Sequence, residues 1–271
     1  MKHLHLTSEL ISKIDEVEFL YTQDRMNAIR DFRNEPGCVK YIERENLRAV
    51  MLPSIPNPNF NRILLSGPVS IVAIGEVLDL YSASGANPHL EISPGALDEE
   101  LAKFLHAQGY VQSRFLPVYV KPVGELSGRH SDSLQVVQVV QISTAKELSQ
   151  FQDLYLEGWD IRAAVIRSYI ERWSKYADWK LYLAYLGDQP IGCAVLYLKN
   201  SIAYLADATT PEKFRGKGAQ TALIHARFKD AIAGNADLVF TRTDFGTISQ
   251  KNMEKQDLRI SYARAFWGKV A

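Results

Sequence analysis

Residues Tyr204–Ala233 read YLADATTPEKFRGKGAQTALIHARFKDAIA, and the functional expectations for this chain start there. Tyr204, Leu205, Ala206 and Ala208 form an apolar run interrupted by one acid, Asp207, which reads as a buried strand. Thr209, Thr210 and Pro211 stop it. Arg215-Gly216-Lys217-Gly218-Ala219-Gln220 follows, and then Ala222, Leu223, Ala226, Phe228 and Ile232 recur at helical spacing up to Gly234-Asn235. Strand, basic glycine turn and helix in that order suit a phosphate. The helix start offers unpaired N–H groups and a partial positive charge. The glycines let an anion approach the backbone, and Arg215 and Lys217 add full charges. A solvated basic turn ahead of a helix is the plainer alternative. The stretch is not a Walker A loop, because Pro211 stands where that motif needs a glycine, and the G-x-G-x-x-G fingerprint fails at Thr221.

The same residues resemble motif A of the GNAT-type N-acetyltransferase superfamily, Q/R-x-x-G-x-G/A, which wraps the pyrophosphate of acetyl-CoA. Arg215 and Gly218 match its first two fixed positions, and Gln220 departs from the usual Gly/Ala. Ser249–Trp267 resembles the family's closing helix and strand, with Asp257-Leu258 at the usual Gly-Phe. The resemblance covers most of the last half of the chain. It implies acetyl-CoA as cosubstrate and direct attack by a substrate amine on the thioester. It places the cofactor on Ala208, Thr209, Thr210, Arg215, Gly216, Lys217, Gly218, Ala219, Gln220 and Thr221. It maps the backbone N–H that meets the thioester carbonyl to about Ala206–Thr209. Asn252 of the closing helix would reach the cofactor or cap its own helix. The general acid is in question, because Met253 falls at the family's tyrosine; Tyr262 is a substitute acid or a core aromatic.

Asp207 is the candidate base, since an acid in an apolar strand must face a cleft or a partner; the rival reading is an ion pair with Arg242. Tyr155, Glu157 and Trp159 end the first helix of this half, where the family's acceptor loops lie, and either line the substrate pocket or, for the two aromatics, fill the core. His225 reads as structural.

The chain has 271 residues, 31 Lys+Arg against 31 Asp+Glu, 46% hydrophobic and 23% charged residues. These are ordinary globular values, and zero net charge points to neither nucleic acid nor membrane. Cys38 and Cys193 are far apart, which indicates no disulfide framework. His3 and His5 lack the further ligands a metal needs. With no apolar signal core in MKHLHLTSELISKIDE and no apolar run of ~20 residues, a soluble cytoplasmic protein is expected, a monomer or a homodimer.

The remaining pattern divides the chain. Gly124–Ser133 has no apolar periodicity and reads as a linker, with His130 exposed in it; it separates residues 1–123 from 134–271. Glu9–Phe32 carries one or two amphipathic helices. The second half reads β, α, α, β, β, β, α, β, α, β, with a hairpin at Gly187-Asp188-Gln189-Pro190. The run from Phe60 to Val120 parallels that from Tyr204 to Trp267, but its turn, Ser66-Gly67-Pro68-Val69-Ser70, has no basic residue, and Pro68 removes a donor. The expected fold class is α/β (α+β). The expected architecture is two tandem GNAT-like domains, each a mixed, mostly antiparallel sheet flanked by helices. The first would be degenerate and bind no pyrophosphate; an unrelated α/β domain is its alternative. The expected function is acetyl transfer from acetyl-CoA to a primary amine. The alternatives are a non-catalytic acyl-CoA sensor and an interaction protein.

Overall fold

A computed structural model describes residues 6–35, 37–55, 57–126, 137–160 and 165–269. His3, His5, His130 and most of the expected linker lie outside the described residues. The chain forms two compact units. The first is Met1–Tyr119 with Arg242–Thr247 and Ile260–Ala271; the second is Val120–Thr241 with Ile248–Arg259.

The first unit opens with α1 (Ser8–Arg33), capped by the Thr7 side chain and closed at Asn34 in the left-handed conformation. It is one helix over the whole expected span. Its strands are β1 (Lys40–Arg44), β2 (Leu47–Met51), β3 (Asn61–Leu65), β4 (His89–Ile92), the first part of β5 (Tyr110–Pro122) and most of β11 (Arg259–Lys269). Their order is β1-β2-β3-β4-β11-β5. β3 and β4 run parallel across α2 (Ile71–Ala83), and β4 pairs antiparallel with β11, Ile92 facing Ala265. Helix α3 (Glu99–Ala107) starts on the Asp98 cap. Ile63, Leu65, Ile74, Tyr81, Leu90, Leu105 and Trp267 are buried together in one core.

Opposite that apolar core lies a buried charged cluster. Arg62 pairs with Glu18 and Glu91, Arg264 with Asp15, Glu18 and Glu91, and Arg242 with Glu18 and Glu91. Tyr262 donates to Asp15 at 3.0 Å and Ser93 to the same carboxylate at 2.8 Å. Burial pushes the Glu18 carboxyl up, but Arg242, Arg264 and Arg62 outweigh it and hold it down to about 2. The same guanidinium groups hold Glu91 well below the usual range against its burial. Burial pushes the His89 imidazole down against the pull of Glu91. All three shifts act the same way. A depressed folded-state pKa contributes stability above the unfolded value that is lost as pH falls toward the folded one. For Glu18 the window runs from 4.5 down to about 2, worth on the order of 3 kcal/mol. His89 starts the loss near its ordinary value of 6.5. Urea melts between pH 7 and pH 3 should show steadily falling stability, with the fall reduced in Glu18→Gln; a flat profile would contradict the ionised cluster.

The second unit contains β6 (Val137–Gln141), α4 (Ala145–Gly158), α5 (Ile166–Trp173), β7 (Trp179–Leu186), β8 (Gln189–Lys199), β9 (Ile202–Thr209), α6 (Ala219–Ala233), β10 (Leu238–Arg242) and α7 (Ile248–Lys255). The strand order is β10-β9-β8-β7-β6, all antiparallel except β9 and β10, which run parallel across α6. A capping box of Thr144 and Glu147 starts α4. Gly187-Asp188 makes the tight turn between β7 and β8. At the next hairpin Asn200 and Ser201 are both left-handed, as a type I′ turn requires.

Both units are thus mixed sheets, mostly antiparallel and flanked by helices, as expected for the fold class, and each contains one parallel βαβ pair. Among the described residues no helix is long and apolar enough to cross a membrane, and no cluster of His, Cys, Asp and Glu could hold a metal ion.

Candidate active site

The site in the second unit is built where β9 ends and α6 begins. Gly216 and Gly218 are left-handed, with φ of 77° and 85°, and a Cβ on either would meet no atom within 4 Å. The space over the turn is open. Gly218 is the N-cap of α6 and supplies no side-chain cap, so the first-turn N–H groups face outward without an intrahelical acceptor. Arg215 and Lys217 are exposed on this turn, with Lys213 and Lys217 over the Phe214 ring. Ala219 is buried and Thr221 exposed. Gln220 donates from Nε2 to Thr210 Oγ1 at 2.9 Å, tying the helix start to the strand end. That bond gives the amide, unexpected at a Gly/Ala position, a local purpose. Gly192 of β8 lies beneath: a Cβ there would press on Thr210 Oγ1 and the Thr209 carbonyl. An open turn with outward N–H groups and two cations fits a diphosphate.

β9 is not a regular strand. Ala194 faces Ala208 and Leu196 faces Leu205, so Ala206 and Asp207 together oppose Val195. This is a β-bulge, and bulges re-aim side chains and leave ladder groups unpaired. Asp207 is half-buried and accepts a hydrogen bond from Tyr155 Oη at 2.6 Å. Arg242, the rival partner in sequence, pairs with Glu18 and Glu91.

Tyr155 is 3% exposed; its ring stacks on Phe151 and meets Trp173 edge-on. It is therefore a core aromatic whose hydroxyl reaches Asp207. Trp159, the C-cap of α4, is 50% exposed and tilted against Tyr155. Glu157 pairs with Lys213 at 2.9 Å. Gly158 lets the end of α4 touch β9, because a Cβ on it would overlap the Thr209 side chain. Sequence reasoning missed Gly158.

The closing helix α7 carries Asn252, half-buried, and Met253, 5% exposed. A tyrosine at Met253 would have to displace packed neighbours. Asp257 is left-handed at φ 60°, the conformation a glycine takes freely, and Leu258 is fully buried. His225 Nε2 lies 2.6 Å from Gln256 Oε1, consistent with a structural role.

Tyr262 lies on β11. It is 5% exposed in the first unit and committed to Asp15, and burial with the Asp15 charge pushes its phenol well above the ordinary value. Its burial and its bond to Asp15 favour the core-aromatic reading over that of a substitute acid. Sequence reasoning also missed Arg227, which is wholly buried in α6. Burial pushes its guanidinium down to about 10, against Tyr182 and Cys193. Burial, reinforced by Asp207, pushes the Cys193 thiol up, so it stays protonated and is a poor nucleophile.

No family model matches the sequence, and no curated protein matches it. Solved structures do match. One is titled a GCN5-related N-acetyltransferase from Kribbella flavida, with TM-score 0.66, 14% identity, and 91% of this chain and 95% of that one covered. A second, a GCN5-related N-acetyltransferase from Sphaerobacter thermophilus, has TM-score 0.59 at 10% identity over 83% of this chain and 80% of that one. The chain thus has the fold of the GNAT N-acetyltransferases. A third match, a tandem GNAT protein from the clavulanic acid biosynthesis pathway, has TM-score 0.58 at 15% identity, covering 82% of this chain and 77% of that one. The fold likeness therefore extends to a chain with two such domains.

Proposed function

We propose that this chain is an acetyl-CoA-dependent N-acetyltransferase acting on a primary amine, with its site in the second unit. The observation that carries the reading is the open, left-handed Gly216–Gly218 turn at the start of α6, next to a bulged strand bearing Asp207. Acetyl-CoA supplies an activated thioester. The N–H groups of the first α6 turn, with Arg215 and Lys217, hold its pyrophosphate; Ala208, Thr209, Thr210 and Asn252 lie on the elements around it. The N–H groups of Ala206–Thr209 offer donors where the carbonyl oxygen gains charge. Asp207, held by Tyr155, takes the proton that the attacking amine must lose. An alkylamine with pKa near ~10.4 is almost wholly protonated at pH 7, so a base matters more than an acid; a thiol of pKa about 8.5 leaves as a thiolate that solvent can protonate. Glu157 and the exposed ring of Trp159 lie where the acceptor would enter. By sequence order we divide the chain into domains 1–123 and 134–271, each with its own βαβ pair and joined by 124–133, although residues 242–247 and 260–271 of the second belong to the first compact unit.

The first unit serves as the negative example. Its equivalent turn is filled: Asn46 Nδ2 donates to the Pro68 carbonyl at 3.0 Å, and a Cβ on Gly67 would press on the Asn46 side chain. Ser70 caps α2 with its own side chain. Arg48, from β2, approaches Ser66 at 3.4 Å. The proposal therefore gives one acetyl-CoA per chain. The buried Met253, at the position of the family's tyrosine, favours a second reading: a non-catalytic acyl-CoA sensor.

Thiol release from acetyl-CoA with a panel of amines separates the two readings. Once a substrate is found, Asp207→Asn should lower kcat/KM by about 10²-fold or more, with the loss steepest where the amine is protonated. A variant that keeps its rate but melts lower would make Asp207 a structural residue.

A further inference from the structure

We propose that Arg227 is the positioning residue that locks the bulge of β9 and so fixes the catalytic backbone; this rests on the acetyltransferase reading above. Arg227 is 0% exposed, on the face of α6 that packs on the sheet. Its Nη1 donates to the carbonyls of Val195 at 3.3 Å and Ala206 at 3.5 Å, and its Nε donates to Leu223 within its own helix. Val195 and Ala206 are the residues on either side of the register shift. A bulge leaves ladder carbonyls short of donors, and here one guanidinium nitrogen supplies both strands. Nη2 is buried and has no hydrogen-bond partner among the described residues.

The arrangement is costly by stability alone. A buried guanidinium without a carboxylate partner is poorly compensated by carbonyls, and an apolar side chain of similar length would fill the space more cheaply. Among the described residues no ion pair is formed by Arg227; the nearby Asp230 is held by the Tyr182 hydroxyl and Lys180. The charge is retained where it does two things for the reaction. It fixes Ala206, and with it the direction of Asp207 and of the following N–H groups. It also places a full positive charge behind the strand whose donors face the developing oxyanion.

The test uses the full-length chain as wild type, Arg227→Met and Arg227→Lys. Methionine keeps length and removes the donors; lysine keeps the charge but not the guanidinium geometry. Three quantities are read: amide hydrogen exchange over residues 203–210, the acetyl-CoA dissociation constant, and kcat separately from KM with any amine substrate. Arg227→Met should keep its melting temperature or gain, exchange at least ~10-fold faster over 203–210 alone, and bind acetyl-CoA unchanged while kcat falls ~10²-fold. Arg227→Lys should be intermediate in exchange and rate. Unchanged exchange over 203–210 in the methionine variant overturns the proposal, as does a lysine variant with full wild-type protection and rate. If methionine prevents folding, the lysine variant decides alone. If wild type turns over no amine, the acetyltransferase reading fails on its own, and the exchange measurement still decides whether Arg227 holds the bulge.

Discussion

Replacing Arg264 by methionine should destabilise the first unit by about 3–5 kcal/mol, enough to remove much of the stability of an ordinary domain. Arg264 is wholly buried and pairs with three carboxylates, Asp15, Glu18 and Glu91. Those acids are matched by three guanidinium groups, of Arg62, Arg242 and Arg264. Removing one leaves a buried negative charge uncompensated, which costs far more than the pair contributed. The charge on Arg264 is firmly held: burial opposes it, but the Asp15, Glu18 and Tyr262 neighbours push its pKa well above the ordinary value. Urea unfolding of Arg264→Met measures the loss. The double variant Asp15→Asn/Arg264→Met restores the balance and should lose clearly less than the two single losses added together. A loss under ~1 kcal/mol for Arg264→Met would mean the cluster contributes little beyond packing.

The cluster also shows what local sequence cannot convey. Asp15, Glu18 and Thr22 break the apolar pattern of α1, so the sequence pattern fits one helix or two; in the single 26-residue helix these polar residues have partners in β3, β10 and β11. Those partners lie up to 249 positions away. The place of β11 is non-local for the same reason. As a strand it was plain from Ile260–Trp267, but its pairing with β4 carries no local signal, and Tyr262 went with it into the first unit. β1 was missed because it is a short strand with no buried residue among Lys40–Arg44.

What was legible depended on backbone chemistry. Gly216 and Gly218 announced left-handed positions before a helix, and the structure has them. The Gly187-Asp188 turn between β7 and β8 is plain for similar reasons. At the site, Asp207 stood out as an acid in an apolar strand. Its partner Tyr155, 52 residues away, did not, nor did the bulge that Arg227 spans. An arginine on an apolar helix face looks in sequence like an ordinary solvated residue.

The second large effect falls on the glycine turn. Gly218→Glu places a side chain and a negative charge on the N-cap of α6, at φ 85°. A non-glycine residue there costs about 1–2 kcal/mol, and the carboxylate sits where the pyrophosphate would, against the partial positive charge of the helix. Gly218→Asn separates strain from charge, because asparagine tolerates the left-handed conformation and is neutral. The expected order of acetyl-CoA affinity is wild type, then Gly218→Asn, with no detectable binding for Gly218→Glu. The deciding measurement is a calorimetric titration of acetyl-CoA into wild type and Gly218→Glu. One acetyl-CoA should bind per wild-type chain and none to the variant. Binding of unchanged affinity in Gly218→Glu, or two equivalents per wild-type chain at similar affinity, would contradict that expectation.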